Sequence, residues 1–348
     1  MDISNITDDS LIPLDILKPI RIVGCTPGSY VKVRTEDHDS GIYIEDIFYP
    51  DSNLEVSVDI KDFVSSLLDY DNSFISTLSE SRPTVVHLQG DTIRTIVIIV
   101  TSSDSDNELA VHFNTTPHSA ENLLSDIEQL EVPRDYVLAM SFPAGFTNSG
   151  GNAAIRVGSN LINIGIDNYP DEETDVATHM VVDVICRLKE SGLDTEILEE
   201  ATAIILKESE ASDLPSSISS PKLVFSAKPF EQYLFRNSYG ALDNIPMSGA
   251  RKFVPEYSLE TGTLGDDLAG TERKSVRTFS QDTGYLPRKT IAALSELLKS
   301  DGIWHLKDGA FRKIVITGTT LSLSSAETAH SASFTYRYAE ESEPMKLI

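Results

Sequence analysis

Short apolar runs with a period of two recur along this chain, and they constrain its fold more than any other feature. Val56, Val58 and Ile60 alternate with Glu55, Ser57 and Asp59, and Val31 and Val33 alternate with Lys32 and Arg34. Successive side chains of a strand point to opposite faces, so such runs predict strands with one buried and one wet face. Thr95 to Val100 is apolar at both parities and fits a central strand between two layers. Pro27-Gly28 and Pro50-Asp51 mark turns between runs. Only Ile60 to Tyr70 reads as helical in the first 116 residues, which therefore predict a β-sandwich domain.

A second β-rich domain is expected over residues 117–228. It opens on a linker from Pro117 to Pro133 that could hold a helix over Ser119 to Leu130. Ile162, Ile164 and Ile166 then alternate with polar residues. Met180, Val182, Val184, Cys186 and Leu188 form a longer face, with His179, Asp183 and Arg187 opposite. Ala201 to Leu206 predicts another strand, while Leu193 to Glu200 fits either a short helix or a hairpin loop. Ser209 to Pro221 reads as a linker or long loop.

The third domain, 229–348, has a different pattern. Tyr233 to Arg236 is strand-like, Asn237 to Ala250 is turn-rich, and Glu272 to Phe279 is a polar strand. The clearest helix of the chain follows at about 287–300. Pro287 suits its first turn, Ile291, Leu294, Leu297 and Leu298 share one face, and Gly302 stands where a C-terminal cap belongs. Strands are expected over Ile303 to Leu306, Lys313 to Thr317 and Ser331 to Tyr338, the last with Phe334, Tyr336 and Tyr338 on one face. The predicted fold class is mostly β: serial β-sandwich-like domains, then an α+β domain with a single helix on an antiparallel β-barrel or sheet. A length of 348 residues suits two or three such domains.

The net charge of -26 sets function limits. Its field repels nucleic acid and anionic membrane surfaces, so neither is an expected partner. Cys25 and Cys186 each sit in or beside an apolar run, which predicts two buried free thiols and synthesis in a reducing compartment. MDISNITDDS carries acid where a secretory signal needs base, and the longest apolar stretch, Ile96 to Val100, is far short of a membrane span.

Tests for chemistry return little. The histidines are His38, His87, His112, His118, His179, His305 and His330, with no HExxH pair among them; His112 and His118 are too far apart for one helix face. No GxSxG elbow and no CxxC occurs. Gly145 to Gly151 lacks the Lys-Ser/Thr ending of a phosphate loop and reads as a flexible hairpin loop. Asp104, Asp106 and Glu108 alternate in a polar loop, without the glycine and closing Glu of a calcium loop. The expectation is a non-enzyme with no catalytic, cofactor-binding or metal-binding residue and no cofactor. Ile42, Tyr43, Ile44, Ile47, Phe48 and Tyr49 form a dense apolar cluster, expected to be core; if exposed, it would be a glycan or protein contact.

Two passages carry a resemblance. One is KPFEQYLFRNSYGALDN, Lys228 to Asn244; the other runs from LPRKTIAALSELLKS at Leu286 to Ser300, through Trp304 and Arg312 to Thr317, to FTYRYA at Phe334 to Ala339. Together they resemble the C-terminal part of a family of tail-associated structural proteins encoded by phages and prophages of Bacteroides-type gut bacteria. The Gly41-to-Pro50 strand and the VSVDI run are similar to β-sandwich modules in such proteins. The resemblance implies a virion protein made in the host cytoplasm, a non-enzymatic component of a tail, baseplate or adaptor. Its partners would be other tail proteins and copies of itself in a ring. On that reading Asn237–Ala250 is a loop at an assembly contact. The alternative left open by the residues is a β-sandwich adhesin or receptor-binding protein that recognises a surface glycan; a glycan hydrolase is a third.

Overall fold

The computed structural model describes residues 1–14, 16–68, 70–89, 94–116, 122–147, 151–166, 180–206, 217–264, 267–321 and 329–339. It is mostly β, as the alternation predicts. His118, His179 and residues 209–216 of the expected linker lie outside the described residues, as do the side chains of His330 and Asp106.

In the first block the strands are β1 (Asp2–Ile3), β2 (Ser10–Pro13), β3 (Ile20–Val23), β4 (Val31–Asp37), β5 (Tyr43–Phe48) and β6 (Val56–Val58). Helix α1 (Lys61–Leu67), β7 (Thr84–Gln89), β8 (Arg94–Ser102) and β9 (Ser105–Thr116) follow. Two sheets, in the orders β1-β3-β6 and β2-β9-β8-β4-β5, face each other across one core. Ile20, Ile22, Val31, Val33, Ile96, Ile98, Val100 and Phe113 fill it. Val64 of α1 joins them, so the predicted helix exists and closes the sandwich.

One strand departs from the expected boundary at residue 116. β7 does not enter the sandwich; it pairs with a strand of the middle block, from Thr84↔Cys186 to Gln89↔Val181. Its pattern explains why. Val86 and Leu88 pack against the middle core, while Val85 and Gln89 are buried on the other side. A strand buried on both faces needs a layer above and below, and the sandwich edge offers only one.

The middle block comprises β10 (Gln129–Pro133), β11 (Val137–Pro143), β12 (Asn152–Val157), β13 (Asn160–Gly165), β14 (Val181–Arg187), β15 (Glu200–Ala201), β16 (Ala203–Leu206), β17 (Ser217–Ser219) and β18 (Lys222–Ser226). They pair in the orders β10-β18-β15, β11-β14-β7 and β13-β12-β16-β17 around a second core. Residues 119–121 of the helix expected over Ser119 to Leu130 lie outside the described residues; the rest of it holds a short 3-10 turn, Leu123–Asp126, followed by β10. Asn122 is extended and exchanges side-chain hydrogen bonds with the Ser141 backbone, so it anchors the chain to β11 and does not start a helix. Leu193 to Glu200 is loop up to its last residue, and part of the expected 209–221 linker is β17, paired with β16.

The third block holds β19 (Glu231–Arg236), β20 (Leu242–Met247), β21 (Arg251–Leu264), β22 (Asp267–Asp282), β23 (Leu286–Pro287), α2 (Arg288–Lys299), β24 (Ile303–Lys307), β25 (Ala310–Leu321), β26 (Ala329–His330) and β27 (Ala332–Tyr338). Its main sheet runs β20-β19-β24-β25-β27-β22-β21, antiparallel, and curls on itself like a partly open barrel: Arg251 of β21 reaches Glu231 of β19 at 3.4 Å, and Tyr233 of β19 donates to Gln281 of β22 at 3.0 Å. Ile291, Leu294 and Leu297 of α2 pack on Tyr233, Phe235, Ile303, Phe334 and Tyr336. The expected helix stands, with two changes at its ends. Pro287 immediately precedes it, and the C-terminal cap is Ser300. Gly302 instead gives room to a ring: a Cβ there would come within 2.8 Å of Trp304.

The largest correction concerns Asn237–Ala250. It is not a surface loop. It is the turn and return strand of the β19–β20 hairpin, with every residue of β20 buried, and only its last three residues, Ser248 to Ala250, form a short surface connection to β21.

Candidate functional site

Two places in the molecule concentrate unusual chemistry. One is an internal polar junction, and the other is an exposed edge.

The junction lies where the β11-β14-β7 sheet meets the main sheet of the third block. Val85, Val137, Ala139 and Ile185 from one side meet Leu234, Leu242, Trp304 and Phe311 from the other, with Phe74, Ile75 and Leu78 between. Within this apolar layer lies an ion pair. Asp183 is fully buried, and Arg236 donates from Nη2 to its Oδ2 at 2.9 Å. Ser141 Oγ donates to Asp183 Oδ1 at 2.5 Å, and Gln89 Nε2 to Oδ2 at 2.7 Å. Arg236 also donates to Asn72 Oδ1 at 2.7 Å and to the Gly240 carbonyl at 2.5 Å, and it stacks 4.1 Å over the Tyr70 ring. All three blocks thus hold one charge pair. Burying a charge is costly unless it is paired and hydrogen-bonded, and here each group is.

The turn of the resembling run completes the junction. Asn237 Oδ1 accepts from the amides of Tyr239 and Ala241, which folds the turn on itself. Gly240 has φ +79, and a Cβ there would overlap the Tyr70 hydroxyl, so only glycine fits. Asp243 is buried and accepts from Asn237 Nδ2 at 2.8 Å and the Leu123 amide at 3.2 Å. Burial dominates over these bonds and raises its pKa to about 7. Tyr136 donates to the Asn244 carbonyl at 2.7 Å, and Asn244 donates to the Val137 carbonyl, which covers the β20 edge. Arg236, Asn237, Asp243 and Asn244 of that run are therefore buried joints.

A second buried group is centred on His305. Its Nε2 meets Glu231 Oε2 at 2.6 Å and its Nδ1 meets the Tyr338 hydroxyl at 2.7 Å, while Tyr233 stacks on the ring at 4.8 Å. Desolvation lowers the imidazole pKa against the opposing pull of Glu231. With both nitrogens engaged and the side chain buried, His305 ties β19, β24 and β27 together. Of the other expected positions, His87 stacks on Phe74 at 4.6 Å, and His38 and His112 rings lie 6.3 Å apart. Asp104 is exposed in the β8–β9 turn. Cys25 and Cys186 are buried free thiols. Among the described residues no group of His, Cys, Asp or Glu is placed to hold a metal, and no helix is long and apolar enough to cross a membrane.

The exposed edge overturns an expectation. The Ile42–Tyr49 cluster, expected as core, is largely at the surface, with Ile44 44% and Tyr49 76% exposed. β5 is exposed from Tyr43 through Ile47. The reason is geometric. β5 is the last strand of its sheet, and the facing sheet β1-β3-β6 is narrower, so the sandwich core reaches β5 only at Phe48. Its outer side faces no other strand among the described residues. The backbone ladder from Val31↔Phe48 to Glu36↔Tyr43 seats the strand on β4; on its surface Arg34 lies 3.9 Å over the Tyr43 ring and Lys32 bonds Glu45 at 2.9 Å. Such an apolar open edge is a template for another chain.

No family model matches this sequence, and no curated protein matches it. Among solved structures, the chain is similar to the Dpr2 Ig1-Ig2 in complex with DIP-Theta Ig1-Ig3, at 7% identity over 98% of this chain and 90% of that one, with a TM-score of 0.19. It is also similar to titin domains I67-I69, at 12% identity over 96% and 87%, with a TM-score of 0.17. At these scores the likeness carries no argument about fold or function.

Proposed function

We propose that this chain is a non-enzymatic structural component of a phage tail, baseplate or adaptor assembly that acts through protein–protein contacts. The observation that carries the proposal is β5: an edge strand with exposed apolar residues on both faces and no neighbour on its outer side among the described residues. Natural edges are usually shortened, charged or covered, and one that leaves Tyr43, Ile44 and Ile47 exposed around its two acids fits a surface that is covered in an assembly. The buried junction supports the same reading, because the contacts it makes among the three blocks give such an edge a packed body to stand on. Free buried thiols suit a protein made in the host cytoplasm and carried in the virion.

Mass spectrometry and cryo-electron microscopy of purified particles test this. A fixed copy number per particle is expected; absence of the chain from every particle refutes it. Exposed Tyr43 and Tyr49 favour a second reading, an adhesin that stacks sugar rings on β5. Saturable binding on a glycan array that is lost in Tyr43→Ala/Tyr49→Ala would decide for that reading.

A further inference from the structure

We propose that the open edge of β5 in one copy pairs with the open edge of β21 in a second copy, so that molecules join head to tail. This rests on the assembly reading above and names its partner. β5 ends the sheet of the first block and β21 ends the main sheet of the third. Both carry exposed apolar residues: Tyr43, Ile44 and Ile47 on one, Phe253 and Val254 on the other.

Charge selects the partner. β5 carries Glu45 and Asp46 at its centre, so two β5 edges laid antiparallel about that centre would set carboxylate against carboxylate. β21 instead opens with Arg251-Lys252-Phe253-Val254 in a chain that holds 28 basic residues against 54 acidic ones. One antiparallel register places Arg251 opposite Asp46, Lys252 opposite Glu45, Phe253 opposite Ile44 and Val254 opposite Tyr43. Every pair is then either opposite in charge or apolar on apolar. Pro255 and Pro50 cannot donate to a ladder, so they bound the pairing on both strands.

The groups to be exchanged are weakly held. Asp46 Oδ1 accepts from the Ile47 amide at 2.8 Å, a local cover that leaves Asp46 Oδ2 open to an incoming base. Lys32–Glu45 at 2.9 Å is an exposed ion pair of little strength. Arg251 already approaches Glu231 at 3.4 Å, so Lys252 is the principal base in the joint. Because the joint uses two different patches, each copy offers one of each. Such a heterologous contact gives a ring if the rotation closes and a filament if it does not.

The test is mass photometry of the full chain over a concentration series, with hydrogen exchange as a second readout. Wild type is expected to form oligomers, with the amides of 43–48 and 251–254 gaining protection together. Glu45→Lys and Lys252→Glu should each weaken association by about tenfold or more while leaving the thermal midpoint unchanged. The double variant Glu45→Lys/Lys252→Glu should restore it. A monomeric wild type, or oligomers indifferent to all three variants, overturns the joint. If the chain is nevertheless present at fixed copy number in particles, the assembly reading survives that failure; if it is absent from particles, both fall.

Discussion

Arg236→Leu should unfold the junction, and the cost can be worked from its contacts. The substitution leaves Asp183 fully buried with only the Ser141 and Gln89 donors. Breaking a buried ion pair by removing one member costs about 3–5 kcal/mol. Asn72 Oδ1 and the Gly240 carbonyl lose a charged donor as well, each worth roughly 1 kcal/mol or more. The sum, about 5–7 kcal/mol, is a large part of the 5–15 kcal/mol that holds a typical domain. The companion variant Arg236→Leu/Asp183→Val removes both charges. It should recover at least about 2 kcal/mol relative to the sum of the single costs, because it no longer buries an unpaired ion. The assay is urea denaturation followed by tryptophan fluorescence. Trp304 is the only tryptophan and is buried in this same junction, so its red shift reports the opening directly. An Arg236→Leu midpoint equal to wild type, or strictly additive single and double variants, would refute the assigned role of the pair.

Three further outcomes are expected. Leu294→Asp should unfold the third block at a cost above about 4 kcal/mol, since Leu294 lies on the face of α2 buried against the main sheet; melting like wild type in calorimetry would count against that packing. Gly240→Ala should cost about 2–4 kcal/mol from its positive φ and the overlap with Tyr70, and Tyr70→Ala in the same chain should recover the steric part but not the backbone part. For Asp243, a folded pKa raised from 3.8 to about 7 means the fold favours the neutral acid. That stability is present below about pH 4 and lost as pH rises through about 7, up to ~4 kcal/mol at 1.36 kcal/mol per unit. Asp243→Asn should abolish this dependence, so parallel stability–pH curves for wild type and variant between about pH 4 and 8 would contradict it.

Much of the architecture is legible in the alternation of residues, because period two survives wherever one face of a strand is wet. β4 and β6 show it, and the α2 face shows the helical equivalent. The pattern fails where a strand is buried on both sides. Asp183 lies opposite the apolar face of β14 and so reads as solvent-facing, but the third block covers it. The signal that could have found it is the pairing of a lone acid in an apolar strand with the lone Arg236 at the end of another. Asn237–Ala250 reads as an exposed loop because it is rich in turn formers, whereas those residues act here through burial and Gly240's close approach to Tyr70. The Ile42–Tyr49 cluster fails in the opposite sense. Composition marks it as core, and only the width of the facing sheet decides that it is not. β7 pairs with β14 of the middle block, and nothing local tells such a strand which of two sheets it will join.

The most direct measurement is a cryo-electron microscopy reconstruction of particles that contain this chain, at a resolution that traces the backbone around residues 43–48. The expected density shows a protein strand paired along the outer edge of β5, with Ile44 and Ile47 covered. A chain present in the particle with β5 facing solvent on its outer edge, or density there that belongs to a bound sugar, would contradict the proposed role.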